Sequence, residues 1–389
     1  MSDMSFLERL LDGVTVEWKP LGKALARTKG TKITAGQMKE MHKEDAPLKI
    51  FAGGKTIAFV DFEDIPEKDI NREPSIIVKS RGFIEFDYYD KPFSHKNEMW
   101  SYHSKDENIN IKFVYYFLKI NESYFQNLGS KMQMPQIATP DTDKFQIPIP
   151  PLKIQAEIVR ILDTFTELTA ELTAELTAEL TARQKQYEYY RDRLLTFEEG
   201  EAEWKTLREI CSSISAGGDL PENFAKGQVD PSDEFPYPIY ANATGDNGLY
   251  GFTDEYKIES DAVTISARGA KIGYHTVREG KFTPIIRLIT LVPNKNVILT
   301  KYLNYILDMT PIGGTDGGIP QLTVPTVQKI SIPIPPLEEQ ARIVAILDKF
   351  DTLTNSISEG LPREIALRQQ QYEYYRELLL SFPKAEEEQ

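Results

Sequence analysis

Few residues of this chain have the types and spacing that catalysis would need. A P-loop for nucleoside triphosphates requires the pattern GxxxxGKS or GxxxxGKT. Gly54-Lys55-Thr56 matches its second half, but Lys49 stands where the first glycine belongs, so a basic loop after a strand is the better interpretation. No GxGxxG motif follows a predicted strand, and no Asn-Pro-Pro-aromatic motif is present. Nucleotide binding and base methylation are therefore unsupported.

Metal and nucleophile chemistry are equally unsupported. Cys211 is the single cysteine and has no neighbouring Cys or His, and the four histidines lack metal-ligand spacing. Asp61, Glu63 and Asp64 could be imagined as a nuclease cluster, but an acidic surface turn is the better interpretation. We therefore predict no catalytic activity, metal or cofactor in this chain. The lone cysteine, with no apolar run long enough to span a bilayer, favours a soluble cytoplasmic protein without a membrane partner.

The distribution of basic residues indicates recognition, although the net charge of −14 alone argues against nucleic-acid binding. Residues 19–55 hold nine basic and three acidic residues, and residues 262–301 hold seven basic and one acidic. Such tracts are often only solvated surface. Because one tract lies in each of two segments that precede a repeated motif, we predict that both are electrostatic contacts for nucleic acid.

The chain contains an internal duplication with a constant offset of 185 residues. This duplication supplies the elements that must position the basic tracts. Residues 147–168 (IPIPPLKIQAEIVRILDTFTEL) match 332–353 (IPIPPLEEQARIVAILDKFDTL) at 15 of 22 positions, and 183–197 match 368–382 at 11 of 15. The 14 residues between the matches differ in sequence but agree in number, so the duplication preserves a distance. We interpret it as two equal helices that act as a ruler, each following a divergent globular domain.

Both repeats have the 3–4 spacing of apolar residues that predicts a helix, and each begins after a Pro-Pro pair, which suits a helix start. The first contains TAELTAELTAEL at 169–180. About 45 residues at 1.5 Å each would make this helix roughly 65–70 Å long, or about two turns of DNA. In the second repeat, Gly360 and Pro362 should kink or interrupt the helix.

The segments ahead of the repeats have weak similarity to each other. KSRG parallels SARG, and MPQIATP parallels IPQLTVP. Residues 74–89 and 261–277 are rich in β-branched and aromatic residues with glycine turns, which predicts strands. Residues 111–120 and 300–309 look like short helices. The two segments therefore read as copies of one fold whose loops have diverged.

The duplicated motifs IPIPPLxxQxxIVxILDxF and RQxQYEYYRxxLLxF resemble those of the specificity (S, HsdS) subunits of type I restriction-modification systems. The TAEL array looks like that of the IC subclass, and the resemblance covers essentially the whole chain. It implies an α+β fold with two α/β target-recognition domains separated by two long antiparallel helices, as a pseudo-two-fold duplication. The parts are target-recognition domains at 1–146 and 200–331 and helical spacers at 147–199 and 332–389.

The resemblance also implies a function. Each target-recognition domain would read one half of a bipartite asymmetric site in double-stranded DNA. The helices would set the distance between the halves and dock two modification (M) subunits, which carry S-adenosylmethionine and methylate adenine. Restriction (R) subunits that use ATP and Mg would join this core. Aromatic residues dominate interface hot spots, so the candidate docking residues are Tyr187, Tyr190, Tyr372 and Tyr375.

Candidate base-reading residues follow from side-chain chemistry, since Arg and Lys read guanine and Asn and Gln read adenine in the major groove. The candidates lie in glycine-containing loops and just before the repeats. In the first domain they are Lys79, Arg81, Lys131, Gln133 and Gln136, and in the second Arg268, Lys271, Thr315, Asp316 and Gln321. Any of them could contact phosphate instead of a base.

Two other functions stay open from the residues alone. One is a coiled-coil adaptor that never touches DNA. The other is a stand-alone DNA methyltransferase or nuclease, which the missing motifs disfavour. DNA binding with and without an M subunit would separate the first alternative from a specificity subunit, and methyl transfer by the chain alone would support the second.

Overall fold

Contacts divide the chain into two units, Met1–Glu175 with Ile365–Gln389, and Leu176–Glu364. Each unit combines one variable domain with helical segments from both repeats. The computed structural model describes residues 6–54, 56–130, 134–242, 248–268, 271–313, 321–355 and 359–383. The structure is a mixture of helices and strands, 41% helical and 25% strand, which confirms the prediction of an α+β fold.

The first unit contains largely antiparallel sheets flanked by helices. Its strands are β1 (Glu17–Pro20), β2 (Leu25–Arg27), β3 (Leu48–Phe51), β4 (Ile57–Val60), β5 (Ser75–Lys79), β6 (Glu85–Tyr89), β7 (Phe93–His95), β8 (Trp100–Ser104) and β9 (Gln146–Ile149). Its helices are α1 (Phe6–Leu11), α2 (Leu21–Ala24), α3 (Ala35–Met41), α4 (Ile111–Ile120), α5 (Glu122–Gly129), α6 (Thr139–Asp143) and the first part of α7 (Leu152–Leu195). Short 3-10 helices lie at Phe62–Asp64 and Glu67–Asp69. The strand orders are β2-β8-β5-β6, β4-β3-β7 and β1-β9.

The core of the first unit lies between the four-stranded sheet, α4 and α7. Phe113 of α4, Ile158 and Leu162 of α7, and Tyr102 of β8 are fully buried in one cluster. Asn110 caps α4, because its side-chain oxygen accepts hydrogen bonds from two backbone amides of the first turn. The strands predicted within 74–89 and the helix predicted over 111–120 are confirmed by β5, β6 and α4.

The second unit repeats this plan, with a five-stranded sheet in place of the three-stranded one. Its strands are β10 (Glu203–Thr206), β11 (Cys211–Ala216), β12 (Phe224–Lys226), β13 (Tyr237–Tyr240), β14 (Leu249–Thr253), β15 (Ile258–Glu259), β16 (Ala262–Ile265), β17 (His275–Arg278), β18 (Lys281–Pro284), β19 (Ile289–Pro293) and β20 (Ser331–Ile334). Its helices are α8 (Leu207–Ile210), α9 (Thr300–Asp308), α10 (Val324–Gln328) and α11 (Leu337–Asn355), followed by α12 (Gly360–Leu380), most of which belongs to the first unit. The strand orders are β11-β19-β16-β17, β12-β14-β13-β18-β15 and β10-β20.

The core of the second unit has the same composition of elements. Leu195 of α7, Val263 of β16, Tyr302 of α9, and Ile343 and Leu347 of α11 belong to one buried cluster. The predicted strands within 261–277 are β16 and the first residues of β17, and the helix predicted over 300–309 is α9. The two variable segments are therefore copies of one fold.

The glutamine of the repeated motif ties each helix start to its domain. Gln155 is fully buried. Its side-chain oxygen accepts from the backbone amide of Asn110 at 2.8 Å, and its amide donates to the carbonyls of Pro150 at 2.6 Å and Asn108 at 2.9 Å. Gln340 makes the equivalent bonds at 2.8–2.9 Å with Leu299, Pro335 and Val297. Because buried polar groups left unpaired are costly, these bonds fix where the helix leaves the domain.

An aspartate about two turns further along supplies a second attachment. Asp163 of α7 accepts hydrogen bonds from the Lys112 ammonium at 2.7 Å and the Tyr116 hydroxyl at 2.6 Å, both on α4. In the second unit the equivalent set is Asp348 with Lys301 and Tyr305, both at 2.7 Å. The long helices and the domain helices are therefore held by the same chemistry in both copies.

The two repeats differ in the continuity of their helices. Helix α7 runs for 44 residues without interruption and includes the whole TAEL array. In the second repeat, α11 ends at Asn355 and α12 begins at Gly360, which confirms the predicted interruption near Gly360 and Pro362. Gly360 has a φ of +78°, and a Cβ there would overlap the carbonyl oxygen of Thr352. Only glycine fits this bend.

Candidate nucleic-acid interface

Loops of the second unit meet at one end of its four-stranded sheet. Ile289 of β19 pairs with Ile265 of β16 and with Ala216 of β11. The loops after β16, before β19 and after β11 must therefore share one end of the sheet. The loop after β16 carries Arg268 and Lys271, both exposed, so two predicted base-reading residues lie here.

The first unit has the same arrangement. Trp100 of β8 pairs with Val78 of β5, and β2 ends beside β8, opposite Tyr102. The loops after β5, before β8 and after β2 consequently lie at one end of this sheet. The loop after β5 carries the exposed Arg81.

In both units a glutamine holds the arginine of this loop. The Nε of Arg81 donates to Oε1 of Gln136 at 3.1 Å, and Nη2 of Arg268 donates to Oε1 of Gln321 at 3.2 Å. The sequence predicted these four residues separately, and the structure brings them together as two equivalent pairs. A guanidinium has five N–H donors. One bond to glutamine orients the group and leaves other donors to contact a nucleic acid.

Backbone pairing fixes the position of both glutamines. The amide of Ile137 donates to the carbonyl of Ser80 at 3.0 Å, and the amide of Leu322 donates to the carbonyl of Ala267 at 3.0 Å. Ile137 and Leu322 are buried, so the residue after each glutamine is anchored in the core. The glutamine side chain is thereby held beside the arginine loop.

Ion pairs neutralise much of the second basic tract. Three of its side chains pair with carboxylates at 2.7–3.1 Å: Lys281 with Glu259, Lys295 with Asp261, and Lys301 with Asp348. Arg278 is buried over the Tyr240 ring, 3.7 Å from its centroid, and burial lowers the pKa of Arg278. Within the described ranges, no carboxylate forms an ion pair with the remaining three, Arg268, Lys271 and Arg287. All three lie on the loops at the same end of the sheet.

The first basic tract divides in a similar way. Three of its side chains pair with carboxylates, namely Lys19 with Glu17, Arg27 with Asp143, and Lys43 with Asp61. Lys49 is partly buried with its ammonium 5.1 Å from the Tyr89 ring centroid, and burial lowers its pKa. Lys29 and Lys32 are exposed and follow β2 at the sheet end that carries Arg81. Positive charge is therefore placed at the corresponding end of both domains.

Six of the ten predicted base-reading residues are not members of these pairs, and one of the six, Lys271, lies in the same loop as Arg268. Lys79 lies opposite Glu85 across β5 and β6, and its ammonium is 2.5 Å from Glu85 and 2.8 Å from Asp87. Burial lowers the pKa of Lys79, but the hydrogen bonds to Asp87 and Glu85 outweigh burial and raise it above the ordinary value. The geometry favours an internal ion pair for Lys79, because DNA contact would require breaking these bonds. Lys131, Gln133, Thr315 and Asp316 lie outside the described residues.

A separate surface follows the long helices. In the first unit, α7 and α12 leave an apolar groove of about 430 Å³, lined by Ile161, Phe165, Tyr375 and Leu379 among others. The rings of Phe165 and Tyr375 are 5.7 Å apart. Leu172 lies in the next cavity with Arg368, so the two helices run antiparallel within this unit.

Residues shifted by 185 positions form the corresponding groove of the second unit, of about 620 Å³. Tyr190 stacks on Phe350 with ring centroids 5.5 Å apart and an interplanar angle of 25°. Ile346 also lines this groove. The second groove is more polar, because Arg193 occupies the position that Leu378 has in the first.

The other two predicted docking tyrosines are more buried than Tyr190 and Tyr375. The hydroxyl of Tyr372 lies 3.0 Å from the hydroxyl of Thr166 on α7. Tyr187 is half-buried, and burial raises its pKa to about 12. Tyr190 and Tyr375 remain more than a third exposed. The geometry thus favours Tyr190 and Tyr375 as docking residues and a packing role for the other two.

The acidic turn and Cys211, the candidates for catalysis in the sequence, occupy structural positions. In the described part of the chain, no group of three or more His, Cys, Asp or Glu side chains is placed to hold a metal ion. Lys43 donates to both Asp61 and Asp64, and the Asp64 carboxylate accepts from the Asp61 amide at 3.0 Å. Burial raises the pKa of Cys211 to about 12, so its thiol is a weak nucleophile at neutral pH. Among the described residues, none of the helices combines the length and the apolar character that a membrane span requires.

Comparison with known proteins identifies relatives along the whole chain. The family model described as "Type I restriction modification DNA specificity domain" matches residues 33–182 and 200–367. The specificity subunit of the type I restriction enzyme EcoR124I/EcoR124II from Escherichia coli is 38% identical, over 99% of this chain and 99% of that protein. The EcoprrI specificity subunit from Escherichia coli is 33% identical, over 92% of this chain and 93% of its own length.

Solved structures show the same fold at low sequence identity. The S subunit of a type I restriction-modification system from M. genitalium is 20% identical and superposes with a TM-score of 0.52 over 96% of this chain and 98% of its own. A chain from a study of complex assembly and conformational transition of the type I R-M system is 15% identical, with a TM-score of 0.62 over 94% of this chain and 98% of its own. At these identities the likeness concerns the fold alone.

Proposed function

The chain belongs to the family of type I restriction-modification DNA specificity subunits, and we propose that each of its two variable domains reads one half of a bipartite asymmetric DNA site. The observation that carries this proposal is the arginine–glutamine pair, built in the same way at the same sheet end in both units. Arginine suits guanine and glutamine suits adenine in the major groove. The alternatives of a coiled-coil adaptor and a stand-alone methyltransferase or nuclease are not favoured by this membership.

The long helices set the number of unread base pairs between the two halves. Helix α7 supports this role because it is continuous through 44 residues and its repeated tetrapeptides contribute length without forming a domain of their own. An α-helix has a fixed rise per residue. A defined number of residues therefore defines a distance along the DNA.

A specificity subunit assembles with other subunits, and the grooves along the helices are where we place two modification subunits. The grooves are related by the 185-residue offset, and each carries a tyrosine packed on a phenylalanine, Tyr375 on Phe165 and Tyr190 on Phe350. Two equivalent sites on one chain suit two copies of one partner. Leu378 in the first groove and Arg193 in the second indicate that the copies make unequal contacts.

Catalysis belongs to the partners in this proposal. The modification subunits supply S-adenosylmethionine and methylate adenine, and restriction subunits supply ATP- and Mg-dependent steps, in the cytoplasm where the DNA lies. The purified chain should bind S-adenosylmethionine only when modification subunits are added. Calorimetry on the chain alone and on the complex measures this, and binding by the chain alone would contradict the assignment.

The central test uses the complex of this chain with its modification subunits. Arg81→Ala should relax one base position in the first half-site, and Arg268→Ala should relax one position in the second, each by about 1–3 kcal/mol of discrimination. Lys295→Ala is the matched control, because this exposed lysine lies at the opposite end of the second sheet. Mapping methylated adenines across a random library reads out each position. Exchange of residues 1–146 for those of a relative should likewise change one half-site, and a change in both would contradict independent reading.

A further inference from the structure

The turn between β18 and β19 has a backbone that its residues rarely adopt. Ile286 and Arg287 have φ angles of 51° and 59°, in the left-handed region. Two successive residues of this kind form the turn that Asn-Gly normally occupies, and a β-branched residue there is a strained exception. The Ile286 side chain is 53% exposed, so burial in the core does not compensate for the strain.

Neighbouring loops hold the turn in this conformation. The amide of Ile286 donates to the carbonyl of Gly218 at 2.9 Å, and the amide of Arg287 donates to the carbonyl of Gly217 at 2.9 Å. A Cβ on Gly217 would lie 2.8 Å from the amide nitrogen of Ile285, so glycine is required for this approach. Strained backbone persists where its surroundings determine it, and such positions concentrate at ligand-binding sites.

One side chain connects the turn to the arginine–glutamine pair. The side-chain Nδ2 of Asn242 donates to the carbonyl of Ile286, and the side-chain Oδ1 accepts from the backbone amide of Ala267 at 2.8 Å. Ala267 directly precedes Arg268. Arg287 is exposed and forms no ion pair with a carboxylate in the described part of the chain. The turn therefore adds a second arginine and an exposed apolar side chain to the surface that carries Arg268.

The equivalent turn of the first unit has different chemistry. It closes with the same bond, from the Met99 amide to the Lys96 carbonyl at 2.9 Å, and carries Asn97 and Glu98. Glu98 pairs with Lys96 at 2.6 Å. Burial raises the pKa of Glu98, but the bond to Lys96 and the positive charge of Arg81 contribute to a net lowering. This turn precedes β8 and Arg81 follows β5, at the same end of the sheet, so the first unit has a carboxylate where the second unit has a guanidinium.

We propose that Ile286 and Arg287 are specificity-determining residues of the second domain, with Arg287 bonded to N7 and O6 of a guanine and Ile286 packed on the C5-methyl group of a thymine. Arginine on guanine and an apolar group on the thymine methyl are the matching major-groove contacts. Contact with DNA would cover the exposed Ile286 side chain, and the strained turn would present both residues to the base edges. The inference rests on the proposed function, since it requires that this sheet end faces DNA.

Arg287→Ala tests the guanine contact in the complex with modification subunits. Preference at one guanine of the second half-site should fall about 5- to 150-fold, while the first half-site and the spacer stay unchanged. Once the site is mapped, 7-deazaguanine at that position should weaken the wild-type complex and have little further effect on the variant. Lys295→Ala removes an equal charge at the opposite end of the sheet and should leave every base preference unchanged.

Ile286→Gly tests the thymine contact and guards against a folding artefact. Glycine adopts the left-handed region without strain, so the denaturation midpoint of the free chain should stay equal or rise. The wild-type complex should bind less tightly when uracil replaces the contacted thymine, and the glycine variant should no longer distinguish the two. A variant with full discrimination would show that the turn is only structural and would overturn the proposal.

The remaining outcomes separate this inference from the proposed function. If Arg287→Ala lowers affinity evenly across sequences with a salt slope shallower by about one, Arg287 contacts phosphate and the proposal fails. If Arg268→Ala relaxes the second half-site while both turn variants have no effect, the proposed function stands and the inference fails. If the wild-type complex has no sequence preference, both fail.

Discussion

Deleting one tetrapeptide, residues 173–176, from α7 tests whether the helix measures distance on DNA. An α-helix rises 1.5 Å and turns 100° per residue, so the deletion removes about 6 Å and rotates the following residues by about 40°. At 3.4 Å per base pair, 6 Å corresponds to about 1.8 base pairs. We therefore expect the unread spacer to shorten by one or two base pairs while both half-sites keep their sequences.

The structure indicates that this deletion disturbs little else. None of residues 169–180 is buried, and the sequence on both sides of the cut remains TAEL. The buried residues of α7 all lie outside the array, and they are Ile154, Gln155, Ile158, Val159, Leu162 and Leu195. The deletion thus removes length without removing a core side chain, so a loss of all DNA binding is not expected.

The assay is methylation by the complex on a library in which only the spacer length varies. A matched control replaces Thr173, Glu175 and Leu176 with Ala, which keeps the helix length and a strong helix-forming sequence. The control should prefer the wild-type spacer. An unchanged spacer preference in the deletion variant would refute the ruler, and an altered half-site would show that the helix does more than measure.

Three further predictions concern the buried Gln155, the pH dependence of His275, and the docking residues Tyr190 and Tyr375. Gln155→Ala should lower the free energy of unfolding by about 1–3 kcal/mol, because it leaves buried backbone groups unpaired; urea denaturation measures this. Burial lowers the pKa of His275, but its bonds to Asp308 and to two backbone carbonyls outweigh burial and raise it. Protonated His275 therefore stabilises the folded state. This contribution is present below about pH 6.5 and is lost as the pH rises through the raised pKa, so the Tm should fall from pH 6 to 8 more steeply than in His275→Gln. Tyr375→Ala and Tyr190→Ala should each weaken binding of one modification subunit by about 2 kcal/mol, and native mass spectrometry should show loss of one copy in each case.

The long helices could be predicted because their sequence signals are local or occur in both repeats. Apolar residues at 3–4 spacing predicted α7 and α11, and the break at Gly360 followed from residues that disfavour a helix interior. The pairing of Gln155 with loop backbone was not predicted. A polar residue at a core-facing position of a repeated apolar motif was the available signal, since buried polar groups need partners.

The candidate site was predicted as a set of residues but not as a geometry. Arg81 and Gln136 are distant in sequence, and only the bridge between their backbones brings the side chains together. The inward ion pair of Lys79 depends on strand register, which places Glu85 directly opposite. Residues 284–289 (PIIRLI) contain no glycine or asparagine that would predict a turn, and the turn at Ile286 becomes evident only from the separate pairing of β18 and β19.

The residues that attach each domain to a long helix are distinct from the residues of the loops proposed to read DNA. Gln155 and Asp163, like Gln340 and Asp348, bind backbone or helix groups that join a domain to a long helix. The arginine–glutamine pairs and the turn at Ile286 bind neighbouring loops at the ends of the four-stranded sheets. Contacts without shared partners contribute nearly independently to stability. Substitution of the loop residues can therefore change the bases that are read while the attachment of each domain to its helix, and with it the measured distance, stays the same.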